Sequence, residues 1–121
     1  MTADEYQIDA LRTLTKNEPV AAELQERIFV CKTLVQGLMG LNSEAGEALD
    51  ILKKYLFQGH ELDKEHLAKE LGDVAWYLAV SASEIGYSLE EILEMNVDKR
   101  MARYPDGFDS NLSKNRRAGD I

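Results

Sequence analysis

Cysteine, proline and long apolar runs are scarce in this sequence of 121 residues. The one cysteine, Cys31, excludes a disulfide within the chain, and the two prolines, Pro19 and Pro105, bracket a long stretch that no proline interrupts. No apolar run approaches the ~20 residues of a membrane-spanning helix, and the first residues lack a signal-peptide pattern. We therefore expect a soluble cytoplasmic protein with no membrane partner.

Positive charge is also in short supply. Lysine and arginine total 14 against 22 acidic residues, and the formal net charge of −8 would repel a phosphate backbone, so we expect no nucleic-acid partner. Residues 109–121 hold three basic and two acidic residues, a net +1, which leaves −9 for residues 1–108. A chain of this length supports one core. We therefore predict a single domain over residues 1–108 followed by a basic tail, residues 109–121.

The apolar residues follow a helical period, and no stretch alternates with period two for long enough to form a sheet. Caps and turn residues divide this pattern into four predicted helices. These are a short helix opened by a Thr2–Glu5 capping box, a long one from about Ala21 to Phe57, a third from the Asp63 cap to Gly86, and a fourth from Ser88 to about Arg103. The fold class predicted is all-α, a four-helix, bundle-like arrangement.

The long second helix carries apolar residues on more than one side, because Phe29, Val30 and Met39 fall outside its main apolar stripe. A helix that is apolar nearly all round is buried nearly all round. Four helices from one short chain do not supply enough cover, so we expect a homodimer or homotetramer. A helix at the centre of a monomeric bundle is the alternative.

Two acidic pairs recur at the same spacing. Glu44 and Glu47 are three residues apart with Gly46 between them, and Glu70 and Asp73 repeat the spacing beside a second glycine. Like charges so placed on a helix repel, and a glycine costs roughly 1 kcal/mol relative to alanine in a helix interior. One such pair alone is usually an ordinary solvated helix face. Two pairs together indicate a site.

The turn predicted at residues 58–60 would fold the second and third helices into an antiparallel hairpin. The two acidic pairs would then lie level with each other, and four carboxylates would converge. Such a cluster is unfavourable unless protons or a cation relieve it. Mg²⁺ prefers oxygen ligands and keeps open positions for water or phosphate, so we predict a magnesium site, with Mn²⁺ as an alternative ion.

Two stretches of the sequence resemble the MazG-like nucleotide pyrophosphohydrolases: GLNSEAGEALDILKKYLF and AKELGDVAWYLAVSASEIGYSLEEILEMNVDKRMARYPDGF. The signature of that family is an ExxE pair followed by an ExxD pair, and here 22 residues separate Glu47 from Glu70. The resemblance covers roughly residues 23–117. It implies hydrolysis of a nucleoside triphosphate to nucleoside monophosphate and pyrophosphate, a deoxynucleotide by preference, with Mg²⁺ held by Glu44, Glu47, Glu70 and Asp73.

The reaction needs a group that accepts a proton from the attacking water, and we assign Glu47 to that role, although the sequence does not show which acid is spare. By the resemblance, Asn96 and Lys99 contact the phosphates and sugar. Arg103 follows at helical spacing on the same helix and is a further substrate-binding candidate. An ordinary polar helix face is the alternative for these residues.

Aromatic and tail residues supply further candidates. Tyr77 lies one turn beyond Asp73 and could meet the nucleotide, whereas Trp76 is interpreted as a core residue. The tail contributes Arg116, which could bind phosphate if the tail folds over the acidic site, on the same or a neighbouring subunit. A tail without fixed structure is the alternative.

Other readings of the residues are less specific. Lys53 and Lys54 are expected to be solvated or paired with nearby acids, and Cys31 is expected to be a small core residue. The chain lacks the two Glu-x-x-His pairs of a di-iron bundle and the glycine-rich loop of a P-loop enzyme. The functional alternatives are a helical binding or scaffold module without turnover and, among enzymes, a phosphoribosyl-ATP pyrophosphohydrolase.

Overall fold

The computed structural model describes residues 1–14 and 21–120, and every regular element in these ranges is an α-helix. The predicted all-α fold class is therefore confirmed. The helices of the described ranges are α1 (Ala3–Arg12), α2 (Ala21–Val30), α3 (Lys32–Phe57), α4 (Lys64–Glu84), α5 (Leu89–Arg103) and α6 (Ser110–Lys114). None of them combines the length and apolar character that crossing a lipid bilayer requires.

The chain divides into two compact units, Met1–Lys32 and Thr33–Ile121. In the first unit, the predicted capping box opens α1: the backbone N–H of Glu5 donates to Thr2 Oγ1 at 3.2 Å, and that of Thr2 donates to Glu5 Oε2 at 2.6 Å. α1 ends at Arg12, where the N–H of Thr13 donates to the carbonyl of Ala10 at 3.2 Å. Residues 17–19, which the sequence predicts to end this helix, lie outside the described residues. The division into a 1–108 domain and a 109–121 tail stays a prediction.

The prediction of one long second helix is wrong. α2 ends at Val30, and α3 begins at Lys32, although the N–H of Cys31 still donates to the carbonyl of Arg27 at 2.9 Å. Aromatic and β-branched side chains lose rotamer freedom in a helix, and Ile28, Phe29 and Val30 place three such residues together at the end of α2. Cys31 is exposed, so its interpretation as a core residue is also wrong.

An antiparallel hairpin joins α3 to α4. Gly59 adopts a left-handed φ of 72° just beyond α3, and the carboxylate of Asp63 accepts from the N–H of His66 at 2.9 Å to begin α4. Gly40 of α3 faces the ring of Tyr77 of α4 so closely that an added Cβ would overlap that ring. Gly37 faces Ser81 in the same way. The contact earlier on α3 is thus the later one on α4, so the two helices are antiparallel.

The junction of α4 and α5 follows the pattern predicted from the sequence. Gly86 has a φ of 81°, and the N–H groups of Tyr87 and Gly86 donate to the carbonyls of Ala82 and Ser83 at 3.0 and 3.1 Å, which is a Schellman motif. The Ser88–Glu91 capping box then opens α5, which packs against α4. α5 ends at Arg103, as expected.

The second unit buries little of its apolar surface. Ala82 and Ser81 are buried, but among the described residues no large side chain is fully buried. Leu71 and Ile85 of α4 are 57% and 53% exposed. The helices of the single chain thus present more apolar surface than they cover for one another.

Candidate metal and substrate site

Three carboxylates meet across the α3–α4 hairpin. Glu44 comes from α3, Glu70 and Asp73 come from α4, and one oxygen of each lies within 4.8 Å of the others. We call these residues the acidic trio. The hairpin builds the trio because Glu44 lies one turn beyond Gly40, where the two helices are in close contact. Glu70 and Asp73, three residues apart, share one face of α4.

The carboxylates of the trio act on one another's charge. The pKa of Glu44 is raised, first by its hydrogen bond to Glu70, then by partial removal from water and by the charges of Glu70, Asp73 and Glu47. Glu70 also lies 2.9 Å from Nε2 of His66, and its side chain is only 12% exposed. Crowded carboxylates are relieved by a proton or by a cation, and both neutralise the same repulsion.

Glu47 stands apart from the trio. Its side chain is exposed, and its negative charge contributes to the raised pKa of Glu44 and to that of Lys54. Three residues along an α-helix turn through about 300°, so Glu47 projects about 60° to one side of Glu44. The sequence analysis expects four converging carboxylates, and the structure brings three of them together.

The two lysines that follow Glu47 on α3 both pair with another acid of the same helix. Lys53 and Lys54 each place Nζ 2.8 Å from a carboxylate oxygen of Asp50, as the sequence analysis expects. Hydrogen bonds from Lys53 and Lys54 lower the pKa of Asp50 to about 2. These cations therefore balance Asp50 on the face of α3.

Tyr77 of α4 lies against Gly40 of α3. Its half-buried ring packs over Gly40 and meets the ring of Trp76 edge-on, with 4.9 Å between the ring centroids. Trp76 is 58% exposed, so its interpretation as a core residue is wrong for the single chain. Side chains of adjacent helix positions point about 100° apart, which directs Trp76 outward when Tyr77 faces α3.

The candidates on α5 have different surroundings. Asn96 is exposed and accepts from Nε of Arg100 at 3.0 Å. Arg103 forms a two-point pair with Asp120 of the tail: Nε donates to Oδ2 at 2.8 Å, and Nη2 donates to Oδ1. Both side chains are largely covered, 15% and 17% exposed. The structure thus joins α5 to a tail residue that the sequence analysis missed.

The tail returns along α5. The carboxylate of Asp109 accepts from the N–H groups of Asn111 and Leu112 at 2.7 and 3.2 Å and begins α6. Beyond α6, the hydrogen bond from Arg103 lowers the pKa of Asp120, and the charges of Arg116 and Lys99 act in the same direction. In the sequence, the only sign of this pairing is that Asp120 follows a basic segment. Its partner Arg103 lies 17 residues earlier, which is beyond any helical spacing, so the sequence does not identify it.

A cavity of about 360 Å³ lies between α5 and the tail, and we call it the α5–tail pocket. Its polar lining comes from Lys99, Arg103, Asn115, Arg117 and Asp120. Arg117 is a second residue that the sequence analysis missed, because Arg116 and Arg117 are indistinguishable by spacing alone. Arg116 is exposed and is not among the lining residues.

Comparisons with known proteins identify the family of the chain. A family model described as the MazG nucleotide pyrophosphohydrolase domain matches residues 32–108, which include the acidic trio, Glu47 and the whole of α5. The chain is 33% identical over 82 residues to the "Gene 37 protein" of Mycobacterium phage L5, covering 64% of this chain and 72% of the phage protein. No solved structure matches the chain. The chain therefore belongs to the family of MazG nucleotide pyrophosphohydrolase domains.

Proposed function

We propose that this protein hydrolyses a nucleoside triphosphate, with a deoxynucleotide preferred, to a nucleoside monophosphate and pyrophosphate. The observation that carries the proposal is the convergence of Glu44, Glu70 and Asp73 across the α3–α4 hairpin, inside the region that the family model matches. Repelling carboxylates at this distance cost stability, and binding a metal–phosphate substrate offsets that cost.

The donor set fits a hard divalent cation. It consists of carboxylate oxygens alone, and Glu70 and the other nearby acids raise the pKa of Glu44, a repulsion that a cation would relieve. We propose that Glu44, Glu70 and Asp73, joined by Glu47, hold Mg²⁺, with Mn²⁺ as an alternative. When bound, the cation neutralises charge on the phosphates and makes the phosphorus a better electrophile.

The roles of the protein residues follow from their surroundings. Glu47 is exposed and lies outside the trio, and we propose that its carboxylate accepts the proton of an attacking water. The water oxygen then bonds to phosphorus, and the α–β phosphoanhydride breaks. His66 positions Glu70 through their 2.9 Å contact, which holds the Glu70 carboxylate close to Glu44 and Asp73.

Substrate contacts are proposed for five residues outside the trio. Cations and amide groups are needed to meet the phosphate oxygens that metal leaves open, and an aromatic ring can contact base or sugar. The five are Tyr77, Asn96, Lys99, Arg103 and Arg116.

A homodimer or homotetramer is part of the proposal. The outer face of α3 presents Leu49, Leu52, Leu56 and Phe57, whose exposed fractions are 66, 38, 58 and 80%. A stripe of this kind on one helix normally packs against another element. We also propose that the protein acts in the cytoplasm, on the nucleotide pool.

Pyrophosphate release from a panel of nucleoside and deoxynucleoside triphosphates with Mg²⁺ tests the activity. The panel includes phosphoribosyl-ATP, the substrate of the alternative enzyme. Release from one or more nucleotides, lost in Glu70→Gln and kept in the exposed control Glu84→Gln, is the expected result. Metal binding without release from any of them would instead identify a non-catalytic helical module.

A further inference from the structure

We infer that His66 makes the acidic trio selective for Mg²⁺ over Ca²⁺, because it holds one oxygen of Glu70 and leaves the other to the metal. The inference deepens the proposed function and rests on its metal site, since Glu70 is one of the carboxylates that would bind the cation. His66 acts on the ion only through Glu70, so it is a positioning residue and not a ligand.

His66 is placed by the first turn of α4. Its backbone N–H donates to the carboxylate of Asp63 at 2.9 Å, which fixes the residue at the start of the helix. Glu70 follows four residues later, and side chains at that spacing lie on the same face of a helix. Nε2 of His66 accordingly lies 2.9 Å from Oε1 of Glu70. An ionised carboxylate only accepts hydrogen bonds, so Nε2 is the donor when Glu70 is ionised, as a metal ligand is.

The carboxylate of Glu70 lies between the imidazole and the trio. The Glu70 side chain is only 12% exposed, whereas the side chain of His66 is 55% exposed, so the ring forms the outer edge of the site. One oxygen of Glu70 lies within 4.8 Å of oxygens of Glu44 and Asp73. The contact with His66 therefore restrains a covered carboxylate that has little room to turn.

This restraint limits how Glu70 can bind a cation. Ca²⁺ takes about six to eight oxygens and accepts both oxygens of one carboxylate, whereas Mg²⁺ requires a near-ideal octahedron with ligands at about 2.0–2.1 Å. An oxygen held by an imidazole N–H is not free to turn toward the ion, so Glu70 offers one oxygen and not two. Such a ligand suits Mg²⁺ and denies Ca²⁺ the second oxygen. Partners of this kind typically change metal affinity by about 10–100-fold.

Melting temperatures of the full chain test the inference. They are recorded in increasing Mg²⁺ or Ca²⁺, without nucleotide and at one fixed pH, and they give the affinity of the native protein for each ion. We expect wild type to bind Mg²⁺ more tightly than Ca²⁺. In His66→Ala, Mg²⁺ binding should weaken by about tenfold, because Glu70 is no longer held in place. Ca²⁺ binding should be unchanged or stronger, because Glu70 can then supply both oxygens.

Two further variants make the test specific. His66→Gln supplies an amide N–H at the same helical spacing from Glu70 and should restore most of the preference for Mg²⁺. His60→Ala removes the exposed histidine between α3 and α4 and should leave the preference unchanged. The backbone contact of residue 66 with Asp63 survives in both His66 variants, so their melting temperatures without cation should stay close to that of wild type.

The outcomes separate this inference from the proposed enzyme. Equal weakening of Mg²⁺ and Ca²⁺ binding in His66→Ala is what a merely structural role would give, and it overturns the inference. Unchanged affinities, or no recovery in His66→Gln, overturn it as well. A preference that depends on His66 in a protein that releases no pyrophosphate would retain the inference and reject the enzyme. Turnover with Mg²⁺, with a preference that does not depend on His66, would do the reverse. Absence of any cation-dependent shift in wild type would reject the metal site and the inference together.

Discussion

Glu44 on α3 and Glu70 on α4 bring carboxylate oxygens within 4.8 Å of each other, and the interaction with Glu70 is the first cause of the raised pKa of Glu44. The same contact brings Asp73 within reach, because Glu70 and Asp73 share one face of α4. The hairpin therefore carries two functions at one place: it closes the helix pair and it concentrates negative charge.

The first prediction concerns turnover. Replacing Glu44, Glu47, Glu70 or Asp73 by alanine should remove nearly all pyrophosphate release, and combining two replacements should cost little more, because parts of one catalytic unit are not additive. Steady-state rates for single and double variants provide the measurement, with Glu84→Ala as the control. A double variant that loses the product of the two single effects would show that the acids act separately.

The second prediction concerns stability with and without metal. Without divalent cation, Glu44→Gln should be as stable as wild type or more stable, since it relieves the repulsion that raises the pKa of Glu44. Mg²⁺ should raise the melting temperature of wild type by binding the native state, and should do so less in the variant. Equal metal-dependent shifts in both proteins would place the cation elsewhere.

The third prediction separates two glycines of α3. Gly40→Ala should destabilise the protein by about 1–3 kcal/mol, because the added methyl group overlaps the Tyr77 ring. Gly46 has open space around its Cβ position, so Gly46→Ala should stabilise by roughly 0.5–1 kcal/mol through helix propensity alone. Denaturant unfolding measures both, and the opposite signs are the result that matters.

The fourth prediction concerns pH. The pKa of Asp50 is lowered from 3.8 to about 2 by Lys53 and Lys54. A lowered pKa in the folded state stabilises above the unfolded value of 3.8, and the contribution disappears as pH falls toward 2. The free energy of unfolding of wild type should therefore exceed that of Asp50→Asn near neutral pH, and the difference should narrow below about pH 4. A difference that grows on acidification would contradict the pairing.

The fifth prediction concerns assembly. If a second copy covers the outer face of α3, light scattering should give a mass of two or four times 13.6 kDa. Leu56→Lys should shift the protein toward the monomer and lower its melting temperature, because Leu56 lies within the apolar stripe. Glu90→Lys on α5 is the charge control. A wild-type mass of 13.6 kDa at all concentrations would reject the assembly.

Sequence reasoning succeeds here where the determinants are local. The Thr2 and Ser88 caps and the Gly86 termination each depend on a few neighbouring residues, and the structure confirms them. The convergence of Glu44, Glu70 and Asp73 follows from one short turn, whereas the helix rotation of about 60° between Glu44 and Glu47 sets Glu47 apart.

The features that the sequence does not predict depend on contacts between distant parts of the chain. The pairing of Arg103 with Asp120 requires the tail to reverse, and no periodic pattern encodes that reversal. The exposure of Trp76 and Leu71 depends on how much surface the neighbouring helices cover, a quantity that periodicity leaves open. Helical period identifies an apolar face, while its burial is decided by what packs there.

The turn between α4 and α5 has a consequence for folding kinetics. Its hydrogen bonds all join residues between 81 and 91, so this reversal closes a very short loop and needs no group from elsewhere in the chain. Formation of the turn is therefore a first-order event whose rate is independent of protein concentration. Covering of the outer face of α3 by a second copy would be second-order, and dilution would slow that step alone.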